Sequence, residues 1–293
     1  MLKFLKNWTL PLAMFAGAIG YFLLANVTIL EPAKPFVNWL IAVLTPFLIF
    51  AQLLLTFCKI EPKELLPKAW HVWLLSIQAV SSGIIALLLI FCPMEEAYRD
   101  IFEGAMVCLI CPTATAAAVI TGKLGGSAST LTTYTLLSNV LAAIAVPLVF
   151  PLVEPHADIT FVVAFLKILS KVFPLLLAPF FIALLFRYYI PSVHRLLSKY
   201  HGVAFYLWAV ALTIVTGQTV RSLVTAAADV SIEIMIALAG LATCCLQFYF
   251  GKRIGSAYHD RISAGQALGQ KNTVLAIWSG SDLSQSFIVC RSR

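Results

Sequence analysis

Two short polar runs lie inside long apolar stretches, Cys111-Pro112-Thr113-Ala114-Thr115 and Gly269-Gln270-Lys271-Asn272. Between them they offer an ammonium group, two amides and two hydroxyls, a set suited to holding an ion or a small polar solute. A proline halfway along a membrane-length helix removes a backbone donor and collides with the preceding turn, so a break is expected at Cys111-Pro112. Gly269 marks a second break. Interrupted helices persist deep in a bilayer only where protein or a polar cavity satisfies the freed backbone groups. Two such helices, at corresponding positions in two halves of a chain, are the sequence pointer to a secondary transporter's binding site. Thr113, Thr115, Gln270, Lys271 and Asn272 are the candidate binding residues at these breaks.

The elements that must position them are membrane spans. The chain of 293 residues is 61% hydrophobic and only 11% charged, with a mean hydropathy of +0.94. A soluble domain carries about a quarter charged residues. An all-α, multi-pass membrane protein is therefore expected, and the net charge of +7 is expected to sort to one side of the bilayer rather than to mark a nucleic-acid partner. At about 20 apolar residues per span, the spans fall at 9–29, 36–57, 70–91, 101–120, 130–153, 161–186, 203–223, 232–250 and, more weakly, 262–278.

With the amino terminus inside, twelve lysines and arginines from Lys3 to Arg261 fall on inner segments, against Lys34, Arg99 and Arg221 outside. That bias sets a cytoplasmic amino terminus in a cell membrane, with the bacterial inner membrane as the expected compartment. Lys271 follows Arg261 by ten residues, about 15 Å of helix, which places it near mid-bilayer. The segment 279–293 is an atypical polar tail and is expected to carry no function. The seven cysteines show no metal-ligand spacing, and those in apolar segments are expected to pack as small hydrophobes. His71, His156, His194, His201 and His259 are expected in loops or at helix ends. Trp70, Trp73, Tyr98, Tyr188, Tyr189 and Trp208 fit an interfacial aromatic belt.

Cys111-Pro112 with Thr115-Ala116, Val119 and Thr121 resembles the first crossover helix of the bile acid:sodium symporter family, which reads roughly Cys-Pro-Gly-Gly-Thr-Ala-Ser-Asn-Val. Gly269-x-x-Asn272-x-x-Leu275-Ala276 resembles the second, roughly Glu-x-Gly-x-Gln-Asn-Ser-Gly-Leu-Ala, and Gln78 matches a polar position of the third span. The resemblance implies inverted five-helix repeats with two discontinuous crossing helices. It further implies a single transporter domain with panel helices at about 9–57 and 161–223 and core helices at about 70–153 and 232–278. Nine of the ten helices are then present. The family's substrate binds between panel and core, which makes this chain a carrier of an organic anion by alternating access, monomeric or homodimeric, without enzymatic activity or a soluble cofactor.

Sodium or protons are the coupling ions such a carrier uses. The Ser-Asn pair of relatives, however, falls on Ala117 and Ala118, the acidic residue on Ala267 and the following glutamine on Lys271. Family-type sodium coupling is therefore not expected. Thr133, Thr135 and Gln78 remain as polar wall, and Gln218 beside Gly217 is a candidate cavity residue or an interhelical hydrogen bond. Lys271 either stands in for the cation, binds the anionic substrate directly, or pairs with an acid such as Glu233. Transport is then uncoupled, or coupled to protons if the buried lysine titrates. A metalloid efflux carrier using Cys111 and a non-transporting membrane receptor are the alternatives. An intramembrane enzyme would need a nucleophile with a base, or metal ligands, at one depth, and the sequence offers neither.

Overall fold

The computed structural model describes residues 8–59, 63, 65–154, 159–200, 203–225 and 230–272. Among them the regular structure is helical, with one isolated β-bridge. The helices are α1 (Thr9–Asn26), α2 (Lys34–Lys59), α3 (Ala69–Phe91), α4 (Glu96–Ile110), α5 (Ala116–Lys123) and α6 (Ala128–Val153). They continue as α7 (Phe161–Tyr189), α8 (Pro191–Lys199), α9 (Val203–Thr225), α10 (Val230–Ala257) and α11 (Arg261–Gly269). A 3₁₀ segment, Thr28–Ala33, turns the chain from α1 into α2, so the first span stops at Asn26, short of position 29.

Six segments of the described residues are long and apolar enough to cross a bilayer: Thr28–Lys59, α3, α6, α7, α9 and α10. The molecule is a helical multi-pass membrane protein. The expected span 101–120 is two helices, α4 and α5, separated at residues 111–115. The expected span 262–278 begins as α11, which has 9 residues and stops at Gly269. Positions 273–278 and the tail 279–293 lie outside the described residues, as do His156 and His201.

Helix packing falls into two sets. α1 and α2 both pack on α9, and α2 also packs on α7. α4 packs on α3 and α10, α6 on α3 and α5, and α11 lies along α10; α6 meets α7 and joins the sets. Leu53, Ile168, Val172, Leu176 and Ala211 form the largest buried cluster, while Trp70, Leu74, Leu131, Tyr134, Ala264 and Leu268 form another around α11. Trp70 is fully buried and stacks on Tyr134 with ring centroids 5.9 Å apart, so it belongs to the core and not to an interfacial belt. His71 is likewise fully buried in the first turn of α3, where its Nδ1 accepts the Lys68 backbone N–H at 3.0 Å.

Hydrocarbon offers helices little hydrophobic reason to associate, so close backbone approach through small residues matters. A Cβ added at Gly251 of α10 would lie 2.6 Å from the Ala264 carbonyl oxygen of α11, and one at Gly17 of α1 would lie 2.2 Å from that of Thr213. The turn between α5 and α6 needs Gly125 at φ 83°, a left-handed conformation that glycine adopts without steric cost. Ser127 then caps α6 by accepting the Thr130 N–H at 3.3 Å, and its own N–H reaches Ser263 Oγ of α11 at 3.0 Å. Lys68 Nζ pairs with Asp260 Oδ2 at 2.9 Å, clasping the start of α3 to the start of α11.

Two measurements follow from this packing. Gly251→Val should force α10 and α11 apart and destabilise the protein by about 1–3 kcal/mol. Gly20→Ala, where an added Cβ meets nothing within 4 Å inside a regular helix, should hold or slightly raise the melting temperature. The second concerns Asp260, where burial raises the carboxyl but the Ser263 hydrogen bond and Lys68 outweigh it and hold it below its ordinary value. A depressed folded value contributes stability above the unfolded value and loses it as pH falls through the folded one. Asp260→Asn should therefore melt below wild type at pH 7, and the gap should close as pH falls below about 4.

Candidate functional site

The site is built from what the broken helices leave unpaired. The last four carbonyls of a helix have no partner within it. At the end of α4, Val107 O accepts from the Cys111 N–H at 3.1 Å and Cys108 O from Gln247 Nε2 at 3.4 Å. Gln78 Nε2 reaches Ile110 O at 3.0 Å and Cys111 O at 3.2 Å. The other end of the Gln78 amide accepts from Ser138 Oγ at 3.2 Å and Tyr134 Oη at 3.3 Å. Gln78 is therefore buried and committed to four bonds within the protein, which makes it the tie that holds the break.

Beyond α4 the chain runs extended and meets the second break. Thr113 and Lys271 form an antiparallel bridge, with the Asn272 N–H donating to Pro112 O at 2.8 Å and the Ala114 N–H to Gln270 O at 2.9 Å. Thr113 Oγ1 donates to Ala267 O at 2.7 Å, and its N–H to Ser138 Oγ at 3.3 Å. Thr115 Oγ1 donates to Gln52 Oε1 of α2 at 2.9 Å, a side-chain bond that links the two helix sets. The Gln270 side chain bonds Gln266 one turn back.

Lys271 Nζ is buried among the described residues with no hydrogen-bond partner there, so it is not paired with Glu233. The thiols of Cys108 and Cys111 lie near enough to interact with it electrostatically. α4 and α11 both end at this point, and each helix C-terminus carries about −0.5 of an elementary charge. Helix C-termini favour a nearby cation. Gln247 Oε1 is a second buried orphan.

The remaining candidates lie elsewhere. Thr133 and Thr135 donate back into α6, to Ser129 O at 3.2 Å and Leu131 O at 3.0 Å. Gln218 lies on α9 and lines a cavity of about 600 Å³ between α1, α2 and α9; Lys271 does not line it. Asn139 Nδ2 bonds Leu176 O at 3.5 Å, across the α6–α7 contact. Sequence reasoning passed over Gln52 and Gln247, yet each is an isolated polar residue inside an apolar span, which by default marks an internal partner.

No protein-family model matches the chain, and no curated protein matches it either. The geometry itself makes a testable claim about Gln78. Replacing it with Leu strands two carbonyls and two hydroxyls, and one unpaired buried group costs about 1–3 kcal/mol. Gln78→Leu should lower stability by more than Asn139→Leu, which strands a single carbonyl, when both are compared by thermal unfolding in one detergent.

Proposed function

We propose that the chain is a secondary carrier of an organic anion working by alternating access, with the Lys271 ammonium standing where a coupling cation would otherwise sit. The antiparallel bridge between Thr113 and Lys271 carries this reading, because it joins two interrupted segments at their breaks. On this reading α1, α2, α7 and α9 form the panel, and α3 to α6 with α10 and α11 form the core of a bile acid:sodium symporter-like fold. The amino terminus is cytoplasmic, and substrate passes between the two sets.

On this reading family-type sodium coupling is not expected. Ala117 and Ala267 are fully buried methyl groups, Ala118 is nearly so, and the Ala267 carbonyl is already taken by Thr113. A tethered ammonium also cannot dissociate as sodium does, so the crossing stays charged-compensated whether or not substrate is bound. A second reading, a metalloid carrier, draws on Cys108 and Cys111 at the end of α4 and on Cys244 of α10, whose Sγ lies 3.9 Å from Gly269 O.

Uptake into proteoliposomes tests both readings. Bile acids, pantoate, short keto acids and arsenite are offered in sodium and in choline buffer at two pH values, to wild type and Lys271→Met. The expected outcome is anion uptake that ignores sodium and is abolished in Lys271→Met. Sodium-dependent uptake, or uptake unchanged in the variant, sinks the role given to Lys271. Uptake of arsenite alone favours the metalloid reading.

A further inference from the structure

The turn between α5 and α6, the last turns of α10 and the start of α11 enclose a cleft of about 780 Å³, which Lys271 does not line. Asp260 in its wall pairs with Lys68, just ahead of α3, so the cleft lies at the end of the bundle where α3 begins and α10 finishes. Both helices are long and apolar enough to cross a bilayer. Trp73 of α3 and Tyr258 after α10 are exposed at that end, and Trp73 Nε1 donates to Tyr258 Oη at 3.0 Å. Exposed Trp and Tyr at span ends mark the level of lipid headgroups. The cleft is therefore at headgroup depth.

Its charge is unbalanced. Lys252 and Arg261 line the cleft, both exposed, and none of the ion pairs seen among the described residues engages either. The Lys252 stem lies against Gly265 of α11, where an added Cβ would come within 2.7 Å of its Cγ, and its ammonium faces the Phe248 ring at 5.8 Å. Asp260 is the sole carboxylate in 116–153 and in 234–272, the stretches that surround the cleft. Lys68 at 2.9 Å and Ser263 already hold it. Leu124 and Ile262 line the same cleft with 52% and 39% of their surface exposed. Two cations without a counter-charge, beside exposed apolar side chains at headgroup depth, match an anionic group on an apolar body. A free phosphate would leave the apolar wall uncovered, and phosphatidylcholine brings its own cation. We propose that this cleft binds an anionic phospholipid, its phosphate against Lys252 and Arg261 and its first acyl carbons over Leu124 and Ile262. The site goes beyond the transport reading and does not depend on Lys271.

Titration of the full chain in detergent with phosphatidylglycerol and with phosphatidylcholine, followed by thermophoresis, tests it. Wild type should bind phosphatidylglycerol at least about tenfold more tightly. Lys252→Gln combined with Arg261→Gln should erase that preference. Ser256→Glu should do the same, because it adds a carboxylate at an exposed position whose hydroxyl bonds only Lys252 O of its own helix. Arg195→Gln combined with Lys199→Gln, an equal loss of charge on α8, should keep it. The two cleft variants are independent, so misfolding of one, read as a lowered melting temperature, leaves the other to decide. Equal affinity for both lipids in wild type, or a preference unaltered in a folded cleft variant, overturns the site. Loss in the α8 variant as large as in the cleft variants reduces the effect to overall charge and overturns it too. Displacement of the lipid by millimolar glycerol 3-phosphate makes the occupant a soluble phosphate and overturns the proposed class.

Discussion

A broken helix inside hydrocarbon must find partners for its freed backbone groups within the protein, because water is not there to take them. Much of this molecule answers that one constraint. Gln78 closes two carbonyls at the end of α4, Gln247 a third, and the backbone of the second break supplies the bonds that the extended run Pro112–Ala114 needs. The donors come from α3, α10 and the α11 end, so the break ties together elements far apart in sequence. Tyr134 and Ser138 are held in turn by the far end of the Gln78 amide, which fixes the facing surface of α6. The buried cluster around Trp70, Leu74 and Leu268 packs beside this network and excludes solvent from it.

Electrostatics at the crossing follow from the same geometry. α4 and α11 both terminate there, so two negative helix ends face one place while neither break contributes a carboxylate. A cation is the natural complement, whether diffusible or tethered. Lys271 is tethered, and its four-carbon stem delivers the charge from the β-bridge that joins the breaks. Among the described residues its Nζ has no hydrogen-bond partner, and neither has Gln247 Oε1. On the proposed reading, substrate completes the ammonium's bonding. On the same reading a cation that cannot leave changes what drives transport, since no ion is released with each cycle unless the lysine itself exchanges a proton.

The spans were legible because about 20 apolar residues leave few alternatives, and the polar runs at 111–115 and 269–272 stood out against them. The break at Pro112 was legible for a reason that proves incomplete. Pro46, Pro147, Pro151, Pro174 and Pro179 all lie inside helices that continue through them. A proline alone therefore does not end a helix here; at Pro112 a second backbone is present to pair with the extended chain. That partner lies about 160 residues away, and no local rule encodes it. Trp70 misled for a similar reason, since its place near a helix end fits an interfacial belt until Tyr134 is seen to stack on it. Gln78 was picked out as polar wall, but only the coordinates of Ile110 and Cys111 show that its bonding capacity is spent.

On the proposed reading, Ala117, Ala118 and Ala267 stand where a cation site would carry oxygens and a carboxylate. Removing oxygens and a carboxylate from a cation site, one at a time, would strand whatever charge remained at a cost of several kcal/mol. On that reading the polar groups are absent together, and Lys271 occupies the compensating position. Thr113 takes the Ala267 carbonyl and packs the space a ligand would otherwise share. The buried methyls of Ala117 and Ala267 then stabilise the packing of α5 and α11 without any polar demand of their own. The backbone bridge then ties the end of α11 to the break after α4 and fixes where the ammonium starts. On that reading the two helix ends offset part of the ammonium's burial, and substrate supplies the partner that Lys271 Nζ lacks among the described residues.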